Sequence, residues 1–417
     1  MQTQLSEEFR GTREGEDGAA LLRSCVHCGF CTATCPTYQL LGDERDGPRG
    51  RIHLVKQLLE GQAASASTRL HLDRCLTCRA CESTCPSGVQ YGRLLDIGRA
   101  VIERKAPRSS LHRVARRLFA AFLTGPLFAP AVRMGRLAGP LLPLRWRIDG
   151  RDVGLSHAAT ASASLNSPKA TPTRRMLLLD GCVQPALAPQ IDAAARRLFA
   201  RCGIELVNVT NDAGCCGSVH HHLTLPDGAL TRVRANIDAW WPLVESGIEA
   251  ILTTASGCGT MLRDYAHLLR DDPAYAQRAA RISALARDPS EILAAEAAQL
   301  ATQLPADAPP TRVAFHSPCS LQHGLRIKGV VENLLRQLGA QLTPVADAHL
   351  CCGSAGTYSL LQPALSEKLG HAKVQALQAG QPQVLLTANV GCLRQIAQRS
   401  QLPVLHWIEW VERRLRR

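Results

Sequence analysis

The sequence predicts an α+β protein, with a helical N-terminal domain followed by two duplicated α/β domains. Three observations carry this. Cysteines recur twice near the start in the spacing C-x2-C-x2-C-x3-C-P. Apolar residues keep helical spacing between and after those runs. The second half repeats one order of strands, helices and cysteines at a nearly constant offset.

The first run is Cys25, Cys28, Cys31 and Cys35, followed by Pro36; the second is Cys75, Cys78, Cys81 and Cys85, followed by Pro86. Two-residue gaps let three sulfurs converge on three irons of one cube within a tight turn, and this is the run that holds 4Fe-4S clusters in bacterial two-cluster ferredoxins. The fourth sulfur then reaches across to the other cluster. Cys25, Cys28, Cys31 and Cys85 are expected to bind one cluster, and Cys75, Cys78, Cys81 and Cys35 the other. Structural zinc also uses C-x2-C pairs, but it has no use for a third cysteine in the same turn. Disulfides fit worse, because cysteines this close cannot easily pair with their neighbours. The expectation is therefore two 4Fe-4S clusters.

Composition narrows the setting. The chain has 417 residues, long enough for two or three domains with real cores. Its first twenty residues are polar with no apolar stretch, which argues against a secretory signal and for a cytoplasmic location. Seventeen cysteines there point to metal or redox chemistry. No apolar run approaches the ~20 residues needed to span a bilayer. The formal charge is +13, yet aromatics are few and no nucleic-acid motif accompanies it. Thiolate-bound clusters offset part of that charge. A partner surface or anionic membrane suits the remainder better than nucleic acid.

Residues 1–103 form the expected helical two-cluster domain. Residues 1–20 read as a frayed tail, with a helix from near Gly18 leading through Leu21 and Leu22 into the first run. Ile52, Val55, Leu58 and Leu59 recur at helical spacing, with Gly61 as the stop. A short helix over residues 69–73 presents the second run. Another over residues 91–104 offers Leu94, Leu95, Ile97, Val101 and Ile102 to the core.

Residues 104–174 are basic, amphipathic and then linker-like. Leu111, Ala115, Leu118 and Phe122 share one helical face, with Arg113, Arg116 and Arg117 on the other side. Such a helix can lie on an anionic membrane or partner, or pack its apolar face on the chain's own body. Residues 155–174 are small, polar and proline-punctuated, as in a flexible linker.

The duplicated domains are residues 175–304 and 305–417. Their cysteines match at 182 and 319, 215 and 351, and 258 and 392, offsets of 137, 136 and 134. Each copy alternates strand and helix, which places its cysteines on loops at strand ends, where open parallel sheets bind ligands. Adjacent cysteines make strained disulfides but good bridging ligands, and the glycine after each pair permits an unusual backbone. The candidate metal ligands are Cys182, Cys215, Cys216 and Cys258, then Cys319, Cys351, Cys352 and Cys392. Cys202 is left over as a core residue.

These halves resemble the cysteine-rich CCG domain of heterodisulfide reductase subunits and of iron–sulfur subunits of flavin dehydrogenases. Members with the full pattern close each copy with Cys-x2-Cys, and their non-cubane clusters depend on it. Here Ala255 and Asn389 stand three residues before Cys258 and Cys392, a departure from the pattern on which that cluster type depends. An additional four-sulfur cluster in the CCG domains and a relic fold with structural cysteines both stay open.

The whole chain resembles the iron–sulfur subunits of bacterial glycolate oxidases, also called glycolate dehydrogenases. The motifs are CVHCGFCTATCPTYQLLGDERDGPRGRI from Cys25, HLDRCLTCRACESTCPSGVQYGRL from His71, and the two Cys-Cys-Gly copies. The resemblance implies an electron-transfer subunit of a multi-subunit oxidoreductase. A flavoprotein subunit would oxidise glycolate to glyoxylate, and electrons would pass through this chain to an acceptor, a quinone, with peripheral contact at the cytoplasmic face of the inner membrane. No dinucleotide fingerprint or P-loop is present, so FAD is expected only in partner subunits. No catalytic acid or base is identified. The alternative is a heterodisulfide-reductase-like, other 2-hydroxy-acid or glycerol-3-phosphate dehydrogenase subunit whose CCG domains are themselves redox-catalytic.

Three groups of residues stand outside these motifs. His220, His221 and His222 read as an exposed loop. His316 and His349 either tune a cluster or are ordinary buried polar residues. Arg45, Arg49 and Arg51 balance cluster charge, meet a partner or are solvated.

Overall fold

Helices from both sides of the two cysteine runs build the first domain: Arg13–Arg23, Pro48–Leu59, Ala66–Asp73 and Tyr91–Lys105. The computed structural model describes residues 1–138, 174–209, 213–307 and 309–416. The expected linker, apart from Arg174, and the segment after residue 138 lie outside these. Pro48 occupies the first turn of its helix, where its missing N–H costs nothing. Ser65 caps the next helix by accepting from the Thr68 N–H at 3.0 Å. Ile52, Val55, Leu58, Leu59, Leu94, Leu95, Val101 and Ile102 are buried together as their spacing predicts, while Ile97 packs at the margin. Gly98 lets two of these helices approach closely, since a Cβ there would lie 2.4 Å from Val55 Cγ2.

The frayed tail is a correction. The first helix begins at Arg13, capped by Thr12 Oγ1 accepting from the Gly15 N–H at 3.2 Å. The terminal ammonium of Met1 donates to the carbonyls of Leu22 at 3.0 Å and Cys25 at 2.7 Å. Phe9 is buried against the same core. Polar composition hides a single buried aromatic and backbone bonds that only tertiary contact creates.

The second half contains two four-stranded parallel sheets of identical order. In the first, β1 (Arg174–Leu178) lies between β2 (Ile204–Val207) and β3 (Ile251–Leu252), and β4 (Ala286–Arg287) flanks β3. In the second, β5 (Thr311–His316) lies between β6 (Ala340–Leu342) and β7 (Val384–Thr387), and β8 (Val404–His406) flanks β7. Leu177 pairs with Ile251 in the first sheet as Val313 pairs with Val384 in the second. The β7 residues are all buried, as in parallel strands covered on both faces.

The copies are fused. Met176, Phe199 and Leu252 share one apolar core with Phe315, Leu386 and Trp407. At the strand ends, Ser256 Oγ lies 2.7 Å from Ser320 Oγ, and Arg263 donates to the Leu325 carbonyl at 3.0 Å. His406 donates from Nε2 to the Thr254 carbonyl at 2.9 Å and accepts from the Ile408 N–H. Burial lowers its pKa to about 4, so it bridges the copies as a neutral imidazole.

The helix Ser110–Thr124 forms, but its apolar face does not pack on the body. Leu111, Leu118 and Phe122 point outward, whereas Ala120 is buried and Arg116 donates inward to the Leu223 carbonyl at 3.3 Å. The next helix, Phe128–Leu137, continues the exposed surface through Met134 and Leu137. Among the described residues no single helix is long and apolar enough to cross a membrane.

Candidate iron–sulfur centres

The two runs fold alike residue by residue. His27 and Gly29 in the first, and Thr77 and Arg79 in the second, all have positive φ, at 61°, 86°, 53° and 58°. Each pair brackets the middle cysteine, Cys28 or Cys78. Left-handed backbone at three non-glycine residues is costly and persists only where its surroundings impose it. Here it turns successive sulfurs toward one point. Helical turns at Phe30–Ala33 and Ala80–Ser83 then carry the third cysteine of each run.

Two cavities open between the runs, with empty volumes of about 430 and 300 Å³. Cys25, Cys28, Cys31, Cys81 and Cys85 line the first. Cys35, Cys75, Cys78 and Cys81 line the second. The fourth cysteine of each run thus faces the cavity of the other run. Burial and the neighbouring thiols push Cys31 up to about 11. Crowded thiols that resist ionising alone suit a site where bound iron stabilises their thiolates. The donor set fits 4Fe-4S clusters.

A buried ionic network underlies the second cavity. Arg51 is 1% exposed and lines that cavity. It donates to the His71 carbonyl at 2.7 Å, to Thr37 Oγ1 at 3.1 Å and to Asp46 Oδ1 at 3.4 Å. Asp46 also meets His71 Nδ1 at 3.0 Å and Arg74 Nη1 at 2.9 Å. Burial opposes the Arg51 charge, but Cys75, Tyr91, Cys35 and Asp46 hold its pKa above the ordinary value. The three arginines grouped by sequence separate here. Arg45 pairs with Asp43, Arg49 pairs with Glu44 beside the first cavity, and Arg51 alone is buried.

Each α/β copy also gathers its four cysteines. In the first, Cys182 neighbours Cys215, whose thiol is pushed down by that neighbour against burial, while Cys258 and burial push Cys216 up. Asn236 steadies this loop by donating to the Cys215 carbonyl at 2.9 Å. In the second, Cys319 Sγ lies 3.7 Å from Cys351 Sγ, and the sulfurs of Cys352 and Cys392 lie within 4.8 Å of each other. The closing cysteines Cys258 and Cys392 sit in the first turns of helices Ser256–Leu268 and Val390–Ala397, rather than at strand ends. Asn389, in the position of a closing cysteine, donates to Cys392 Sγ at 3.7 Å, and Ala255 is buried. Cys202 is buried in the shared core.

The second copy abuts the second run. Cys78 and Cys319 pack on one apolar cluster with Leu76, Cys351 and Tyr358. Tyr358 donates to the Arg74 carbonyl at 3.1 Å. His323 donates from Nε2 to the His349 carbonyl at 2.9 Å and accepts from Ser83 Oγ at 2.8 Å. Neither residue carries a sequence signal, because neither lies in a motif. The histidine triple also needs correction: it forms the helix Ser218–His222, with His220 buried and His221 meeting Asp96 at 3.2 Å. Three adjacent histidines look hydrophilic in sequence, but this helix sits where the first copy meets the cluster domain.

Fold and site together define an iron–sulfur protein with a dicluster domain and two cysteine-rich domains. The chain matches the 4Fe-4S dicluster domain family over residues 21–89 and the Cysteine-rich domain family over residues 176–263 and 313–397. It is 47% identical to the glycolate oxidase iron–sulfur subunit of Escherichia coli, covering 100% of this chain and 99% of that one. It is 31% identical to the probable glycolate oxidase iron–sulfur subunit of Bacillus subtilis, covering 94% and 91%. Lactate utilization protein A of Exiguobacterium is 26% identical over 52% of this chain and 86% of its own. The chain belongs to the family of glycolate oxidase iron–sulfur subunits.

Proposed function

We propose that this chain is the electron-carrying subunit of a multi-subunit glycolate oxidase. A flavoprotein partner holding FAD oxidises glycolate to glyoxylate, and this chain passes the electrons to a quinone. The observation that carries the reading is the full-length likeness to named glycolate oxidase iron–sulfur subunits. Cys25, Cys28, Cys31 and Cys85 hold one 4Fe-4S cluster, and Cys75, Cys78, Cys81 and Cys35 the other; the lining of the two cavities supports this crossed assignment. When bound, such clusters move single electrons and cannot accept a hydride, which is why the reaction needs flavin in a partner. The domain division is 1–103, 104–174, 175–304 and 305–417. An additional cluster belongs to the second α/β copy, a reading supported by the packing of Cys78 beside Cys319.

The test is omission. Flavoprotein partners alone should reduce a small dye with glycolate but fail to reduce quinone until this chain is added. Equal quinone reduction with and without it would sink the proposal.

The exposed faces of Ser110–Thr124 and Phe128–Leu137 support a peripheral position for the complex at the cytoplasmic face of the membrane. Leu111, Val114, Leu118, Phe122, Leu127, Met134 and Leu137 are exposed there, interleaved with arginines such as Arg113 and Arg133. The complex is expected to co-sediment with phosphatidylglycerol vesicles. Leu118→Asp with Phe122→Asp should weaken that binding at least about tenfold, because two apolar side chains no longer enter the lipid. Undiminished sedimentation of the double variant would overturn this placement.

A further inference from the structure

We infer that His316 is a ligand of an iron–sulfur centre in the second α/β copy, together with Cys352 and Cys392, in the pocket that Cys319 and Cys351 complete. The inference rests on the proposed reading that this copy holds a cluster, and adds to it a nitrogen donor that makes the two copies chemically different.

His316 ends the central strand β5, three residues before Cys319. It is 1% exposed, and neither ring nitrogen has a hydrogen-bond partner among the described residues. One ring nitrogen and the sulfurs of Cys352 and Cys392 all lie within 4.8 Å of one another. A buried imidazole without partners is costly. Two other buried rings are satisfied at both nitrogens: His406 bonds Thr254 and Ile408, and His323 bonds Ser83 and His349. Among the described residues His316 alone has both ring nitrogens buried without a partner, and two thiols face it.

The first copy supplies an internal control. Leu179 stands three residues before Cys182, where His316 stands before Cys319, and it is buried in the apolar core. That copy therefore offers four sulfurs and no nitrogen at this position. Thiolates with one imidazole suit either iron–sulfur or zinc. Contiguity decides for iron, because Cys78 of the second run packs with Cys319 and Cys351 on one apolar cluster. Histidine in place of thiolate makes a centre less negative and raises its potential. A centre of that kind suits an exit from the second cluster: the single electron that leaves the one is the electron the other gains.

The test uses the whole complex, purified anaerobically, with and without ¹⁵N-histidine. Pulsed EPR of the wild type should show a nitrogen coupling that changes with the label and is lost in His316→Leu. His316→Cys should keep the iron and lose the coupling. The signals of the two dicluster centres, unchanged in each variant, report that the fold survives. A wild-type spectrum with no such coupling, or zinc in place of iron in this pocket, overturns the inference. Cys352→Ser separates the two levels. If it leaves iron content unchanged, the reading of a cluster in the second copy fails, and the role of His316 with it. If Cys352→Ser loses iron while His316→Leu matches the wild-type spectrum, only the histidine ligation is wrong.

Discussion

Combining Cys35→Ser with Cys78→Ser is expected to cost no more iron than Cys78→Ser alone, whereas combining Cys35→Ser with Cys28→Ser should empty both dicluster sites. The reason is the crossed lining of the cavities. Cys35 belongs by sequence to the run of Cys28, but it lines the cavity of Cys75 and Cys78. Residues that act on one cluster fail together, and residues on different clusters fail independently. Of the about eight irons in a dicluster domain, about four should survive the first pair and none the second. Quinone reduction with glycolate should fall to background in both, since a single missing cluster interrupts the path. Inversion of the pattern, with Cys28 and Cys35 failing as a unit, would show that each run holds its own cluster.

Asp46→Ala is expected to destabilise the cluster domain by about 3–5 kcal/mol, the usual consequence of removing one partner from a buried ion pair. Asp46 is fully buried and faces Arg51, His71 and Arg74. Its loss leaves the Arg51 guanidinium, 1% exposed, without a carboxylate. The measurement is the denaturant midpoint of the anaerobic protein, read beside the rate of iron loss to a chelator. Arg51 also lines the second cavity, so the second cluster should be released faster than the first. An unchanged midpoint and equal release rates would mean that the network contributes nothing to holding either cluster.

The parts of the site legible in the sequence are those whose chemistry is local. Cysteine spacing within seven residues can be read directly, because a tight turn presents those sulfurs together whatever surrounds it. Helical spacing likewise exposed the core positions of Pro48–Leu59 and Tyr91–Lys105. The duplication was legible for a different reason, since matched landmarks need only order and offset. The tail before Arg13 and the histidine triple were misread for one shared reason. Each has a composition suited to solvent, and a position set by distant residues such as Leu22 and Asp96. For the helix Ser110–Thr124 composition left two placements open, and only the structure showed its apolar face exposed.

By itself, then, the sequence determined which cysteines group into runs, that the second half is doubled, and that an α+β chain of this family results. It did so because those properties follow from spacing along the backbone. Only the tertiary structure decided what adjoins what. It set Cys78 beside Cys319 and Cys351, buried Arg51 under the second cavity, and left His316 facing two thiols with no hydrogen-bond partner among the described residues. Those juxtapositions join residues from tens to hundreds of positions apart. Packing within and between the domains brings them together, and no local pattern encodes that packing.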